Sequence, residues 1–128
     1  EIMQDMGKEK KKEDEEMLMN RIKSEILKGE MVVYGVKEVL ERAMEGLLEI
    51  VLIDKNLRIA GWICERCQLV DIGRKERCPY CGSEVSEVDV IEEIVEFCER
   101  FDSRVIFCED ESLHELGGIA ALLRYRPG

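Results

Sequence analysis

"LGGIAALLRY", residues 116–125, carries a single charge in a chain that is 38% charged, and its reading decides the fold. Ile119 to Leu123 is apolar at every position. A strand with one wet face alternates apolar and polar side chains, so an unbroken run suits a strand covered on both faces. Two covering layers are therefore expected, with this strand in the interior of the sheet. Gly117 and Gly118 supply the backbone freedom needed where a short helix, expected over about 111–116, turns into that strand. A phosphate-cradling role for the pair is disfavoured, because such a loop places its glycines ahead of a helix.

Upstream of this run, helical and extended patterns alternate. Leu18, Ile22 and Ile26 recur every four residues with Met19 beside them, which predicts an amphipathic helix beginning near Asp14 and stopped by Gly29. "MVVY", residues 31–34, reads as a short strand, and Val36, Val39, Leu40, Ala43 and Met44 keep helical spacing up to Gly46. "LLEIVLI", residues 47–53, is a second continuous run and predicts another covered strand. Ile91, Ile94, Val95, Cys98 and Phe101 stripe a helix over about 89–102, and "RVIFC", residues 104–108, reads as a further buried strand. Tyr34, Phe97 and Phe101 are expected in the core. Residues 1–13, mostly Lys, Glu and Asp, are expected to form a charged, flexible lead-in, and residues 14–128 the α/β domain. The chain begins with Glu1 rather than Met, which suggests a piece of something longer.

The formal net charge is −10. Such a chain repels a phosphate backbone, so strong direct binding of nucleic acid is not expected and a protein partner is. No apolar run is long enough to span a membrane and the first residues do not resemble a secretory signal, so a soluble, cytoplasmic protein is expected.

The chemical signal lies in "CERCQLVDIGRKERCPYC", residues 64–81: Cys64 and Cys67, then Cys78 and Cys81, two C-x-x-C pairs ten residues apart. Each C-x-x-C turn can aim two thiolates at one point, and two such turns complete a tetrahedral sulfur shell suited to zinc. Arg66, Arg74, Lys75 and Arg77 lie close in sequence and are expected to help keep the thiols deprotonated. Two disulfides or a redox dithiol are the alternatives, disfavoured because the chain lacks secretory features and a redox C-x-x-C opens a helix after a strand. A closed four-sulfur shell leaves no position for water, so the metal would be structural, folding an insertion at about 56–88 that is too small for a core of its own. Cys98 and Cys108 read as buried thiols. A nucleophilic pair of Cys108 with His114, the only histidine, is disfavoured because nothing in the sequence orients the imidazole.

Together, "VVYGVKEVLERAMEGLLEIVLI", the cysteine insertion after it and the closing "GGIAALLRY" resemble the C-terminal domain of archaeal and eukaryotic class I peptide chain release factors, over about residues 16–125. The Pelota-type ribosome rescue factors are similar but typically lack the cysteine quartet, so the zinc pattern points to the release factors. The resemblance implies an α-β-α sandwich with a mixed central sheet, akin to the ribosomal proteins that bind kink-turn RNA, with a zinc minidomain inserted. It also implies a non-enzymatic docking module that recruits a translational GTPase, of the elongation factor 1 alpha type or a class II release factor, to the ribosome during termination. An ATP-binding-cassette recycling factor is a further implied partner. The family's ILRY-type segment, associated with docking, maps onto Leu122, Leu123, Arg124 and Tyr125. The family's two other signatures, a GGQ loop for peptidyl-tRNA hydrolysis and a NIKS loop for codon reading, are expected to lie outside this chain. "GGI" at 117–119 places isoleucine where glutamine is needed, and "NRIKS" at 20–24 belongs to a helical stripe.

Overall fold

The computed structural model describes residues 2–29 and 31–124, with side chains from Glu15 onward. The run at 119–123 is strand β7 (Ile119–Leu123), and all five of its residues are buried. It lies between β1 (Val32–Tyr34) and β2 (Leu48–Asp54), antiparallel to both. β2 in turn pairs in parallel with β6 (Arg104–Cys108), giving a mixed four-stranded sheet in the order β1-β7-β2-β6.

Because successive side chains of a strand point to opposite faces, β7 supplies two cores at once. Ile119, Ala121 and Leu123 join Val39, Leu40 and Ala43 of helix α2 (Val36–Met44) and Ile91, Ile94 and Cys98 of helix α3 (Val90–Arg100). Ala120 and Leu122 join Met19 and Ile22 of helix α1 (Ile2–Lys28) and Leu113 of helix α4 (Glu111–Glu115). Helices thus cover both faces of a mixed sheet, the α-β-α sandwich anticipated from the apolar runs. α1 ends where Gly29 adopts the left-handed conformation, φ 71°, its amide donating to the Glu25 and Ile26 carbonyls. The helix reaches back to Ile2, well before the Asp14 start that the apolar stripe predicts; lysine, glutamate, methionine and glutamine are good helix formers without an apolar face.

Three aromatic or apolar expectations change. β6 is an edge strand rather than one covered on both faces: among the described residues only β2 lies beside it, its middle residues are half-buried, and Phe107 is 43% exposed. The cause is chain order, since β7 enters between β1 and β2 and leaves β6 outermost. Tyr34 and Phe101 are exposed rather than in the core, while Phe97 packs half-buried against it.

The insertion forms its own small sheet, with β3 (Ala60–Cys64) in the middle and β4 (Val70–Ile72) and β5 (Val85–Asp89) on either side, antiparallel. It is not a free-standing lobe. Gly61, Ile63 and Val88 turn toward α2 and α3, and Val70 is fully buried in the same cluster as Val39, Val90 and Ile94. β5 runs straight into α3, whose first turn is capped by the Asp89 carboxylate accepting from the Ile91 amide at 3.0 Å, the usual role of an N-cap acid.

Candidate metal centre

β3 ends at Cys64, and the chain turns back at once. The Gln68 amide donates to the Cys64 carbonyl at 3.1 Å, and the Cys64 amide donates to the Leu69 carbonyl at 2.9 Å. The second pair repeats the pattern: Gly82 amide to Cys78 carbonyl at 2.9 Å, Cys78 amide to Ser83 carbonyl at 2.9 Å. Each C-x-x-C is therefore a tight knuckle, and the residue after its second cysteine is left-handed, φ 64° at Gln68 and 75° at Gly82. Glycine takes that conformation without steric cost. Gln68 holds it with its side-chain amide donating to the Cys64 and Glu65 carbonyls at 3.3 and 3.2 Å.

The two knuckles bring all four sulfurs within 4.8 Å of one another. Cys64 Sγ lies 3.4 Å from Cys81 Sγ, and Cys67 Sγ 3.7 Å from Cys78 Sγ. The amides of Cys67 and Arg66 point at Cys64 Sγ at 3.3 and 3.4 Å, and N–H groups aimed at sulfur favour the thiolate. The Cys67 amide, with that of Arg66, accordingly lowers the Cys64 thiol. The Ser83 hydroxyl and amide draw Cys81 down to about 6. At Cys67 the Leu69 amide pulls the same way but is outweighed by the Cys64 sulfur, burial and the other sulfurs, leaving the thiol at about 11. This corrects the expectation that neighbouring cations hold the thiolates: Arg66, Arg74, Lys75 and Arg77 are all exposed, and hydrogen bonds do the lowering. Arg77 instead braces the second knuckle, its guanidinium donating to the Gly82 carbonyl at 3.1 Å.

Cys64 and Cys78 are buried and Cys67 and Cys81 exposed, so a bound ion would sit half-sunk beneath the two knuckles. Four soft sulfur donors converging on one point, with amides already directed at them, fit a metal ion; every ligand comes from the protein, which suits a structural role. Trp62 completes the centre from below. It lies two residues before Cys64 on the same face of β3, is 2% exposed, and packs with Cys64, Cys78, Leu69 and Val85. The strand's two-residue period was the available signal for it.

The remaining candidates separate. Cys98 and Cys108 are buried, and burial pushes both thiols up to about 11, so they are protonated and unreactive at neutral pH. His114 is exposed, with Nδ1 3.7 Å from Asp54 Oδ2, and among the described residues no hydrogen bond joins it to Cys108. Gly117 and Gly118 are both left-handed, φ 96° and 85°, and a Cβ at Gly118 would sit 3.2 Å from the Leu57 methyls, a packing requirement rather than a phosphate loop. Asn20 to Ser24 lie inside α1. Of the docking residues, Leu122 and Leu123 are 1% and 3% exposed, on opposite faces of the sheet. Arg124 is half-buried, its guanidinium donating to the Asp102 carbonyl at 2.7 Å. Tyr125 lies outside the described residues.

A family model described as eRF1 domain 3 matches residues 13–127. The chain is 30% identical to peptide chain release factor subunit 1 of Methanocaldococcus jannaschii, over 84% of this chain and 32% of that protein. It is 35% identical to a pelota homolog of Natronomonas pharaonis, over 85% of this chain and 27% of that protein. Among solved structures, the C-terminal domain of the peptide chain release factor from Methanosarcina mazei superposes with a TM-score of 0.72 at 20% identity, covering 96% of this chain and 89% of that one. A model of ribosome-bound archaeal Pelota and ABCE1 contains a chain that superposes at 0.63 with 20% identity, covering 94% and 28%. The chain spans about a third of the length of the curated relatives it matches.

Proposed function

Because the chain belongs to the eRF1 domain 3 family, we propose that it is the C-terminal domain of an archaeal-type peptide chain release factor, working as a protein-docking module and not as an enzyme. The observation that carries this reading is the family match over residues 13–127, which takes in both the sandwich and the cysteine sheet. In this reading the domain recruits a translational GTPase, of the elongation factor 1 alpha type or a class II release factor, during stop-codon-directed termination in the cytoplasm. Codon reading and ester hydrolysis belong to other parts of the factor, and the ribosome and an ATP-binding-cassette recycling factor are further partners. A net charge of −10 supports protein docking over the alternative of kink-turn RNA binding.

Zinc is the proposed ion, held by Cys64, Cys67, Cys78 and Cys81; when bound, it supplies cross-linking between the two knuckles and no catalysis. Arg124, just after β7, and Tyr125, next to it in sequence, are the proposed contact residues. Leu122 and Leu123 act from beneath by holding the end of β7 in place. Pull-down with the GTP-bound translational GTPase tests the reading: retention by the domain, lost with Arg124→Glu, supports it, and absence of binding overturns it.

The 35% identity to a pelota homolog favours one second reading, a Pelota-like rescue-factor domain. Elemental analysis separates the two, since one zinc per chain supports the release factor and its absence favours the rescue factor.

A further inference from the structure

The four-stranded sheet ends on two unlike edges. β1 is three residues long, with the left-handed Met31 just before it (φ 54°) and Gly35 just after it (φ 86°), a short edge that offers an incoming strand little to pair with. β6 is five residues long and pairs with β2 in unbroken register from Ile50 beside Arg104 to Asp54 beside Cys108. It has no proline, no bulge, and one charge, at its first residue. Among the described residues no strand or helix covers its outer side. Edges left this way invite pairing unless they are blunted, and here the usual blunting devices are missing from a chain otherwise crowded with charge.

Both flanks of this edge are furnished. On the α3 side, Phe107 stands 43% exposed beside Ile91 and Val95, with Glu92 and Glu96 on the same wall. Arg58 on that wall is engaged by Asp89 at 3.8 Å. Glu92 and Glu96 are spaced four apart on one helix, where like charges repel, and the carboxyl of Glu93 between them is raised by burial with Glu96 and Glu92 adding to it. On the α1 side, Glu15, Glu16 and Glu109 line a hollow at the strand's far end, and Met17, 69% exposed, lies with Leu18 beside Arg104 at its near end. Acids outnumber bases around the edge, so an occupant that brings positive charge relieves repulsion already present, while a second copy of this acidic chain adds to it.

We propose that the open edge of β6 is a docking rail on which an extended, basic and apolar segment of a partner protein adds a fifth strand to the sheet. Main-chain pairing supplies affinity, and alternate side chains supply selectivity: apolar groups on one face of the added strand seat beside Phe107, Ile91 and Val95, and lysine or arginine on its other face meets Glu15, Glu16 and Glu109. This surface is separate from the cysteine centre and does not depend on a GTPase docking at Arg124.

The test uses the 128-residue chain and a fluorescein-labelled peptide of alternating lysine and valine, with a block peptide of the same composition as the control. Anisotropy should show saturable binding of the alternating peptide, weakened about tenfold or more by Phe107→Glu and unchanged by Tyr34→Glu, an exposed aromatic on the opposite edge. Amide hydrogen exchange should slow within residues 104–108. Failure to bind, equal binding of the block peptide, indifference to Phe107→Glu, or protection confined to other residues each overturns the proposal. So does self-association of the free chain that Phe107→Glu abolishes, which would assign the edge to a second copy.

Discussion

An alanine at position 61 would drive its new methyl into two atoms at once. The Cβ would lie 2.3 Å from Val90 Cγ2 and 2.4 Å from the Asp71 carbonyl oxygen. Val90 is fully buried in α3, where a β-branched side chain has little rotamer freedom, and the carbonyl is fixed because Asp71 sits in β4, held against β3 by the Gly61–Ile72 and Trp62–Asp71 pairings. Either β4 parts from β3 or the small sheet lifts off α3, and overpacking of this kind costs about 3 kcal/mol. Gly61 has an ordinary backbone conformation, so alanine also restricts the unfolded chain and returns roughly 0.5–1 kcal/mol. The net loss is about 2 kcal/mol. With an unfolding entropy of about 2.1 cal/mol/K per residue over the whole chain, the midpoint should fall by about 7 °C. Thermal unfolding followed by far-UV circular dichroism, with zinc in the buffer, measures it. Gly29→Ala is the comparison: its Cβ meets nothing within 4 Å, and only the left-handed backbone is strained, at about 1 kcal/mol. A Gly61→Ala midpoint equal to wild type, or a smaller loss than Gly29→Ala, would refute the seam between the small sheet and α3.

Three further outcomes are expected. Chelation should red-shift the emission of Trp62, the chain's one tryptophan, because its ring is sealed against Cys64 and Cys78, while the helical circular dichroism largely survives; unchanged emission, or loss of both signals in one step, contradicts this. Cys98 and Cys108 are raised to about 11 from an ordinary value of 9.0, so the folded state holds protons that the unfolded state releases, and stability present below about pH 9 should be lost toward pH 11. Urea titrations should show a shallower alkaline slope for the Cys98→Ala, Cys108→Ala variant, and equal slopes would remove the thiols from the account. Leu122→Ala should cost about 2–5 kcal/mol of stability and leave GTPase capture per folded molecule unchanged, whereas Arg124→Glu, which also gives up the hydrogen bond to the Asp102 carbonyl, should abolish capture per folded molecule; capture lost by Leu122→Ala in a fully folded sample would place that side chain at the contact itself.

What was legible in the sequence follows the range of the interaction. The cysteine quartet is a matter of spacing within two short turns, so its residues declare it. The hydrogen bonds that prepare those sulfurs were hidden, because every residue carries a backbone amide and nothing in "CERCQ" says that those of Arg66 and Cys67 turn toward Cys64. Gly82 announces the left-handed turn of the second knuckle, yet Gln68 adopts the same turn in the first, its side-chain hydrogen bonds supplying what glycine has by default. β7 and β6 show the same limit on a larger scale. "IAALL" and "RVIFC" carry nearly the same local signal, but strand order decides that one has two neighbours and the other has one, and order depends on where the chain returns many residues later. Gly61 sits between the two cases. A lone glycine inside an apolar strand points to a close backbone approach, which was readable in "IAGWIC"; that the approaching backbone belongs to β4, and that Val90 presses from behind it, requires the packed structure. The cysteine knuckles and the sandwich therefore share β3, with Trp62 and Cys64 facing the sulfurs and Gly61 and Ile63 facing the sandwich core, so Gly61→Ala strains the seam while chelation opens only the sulfur side.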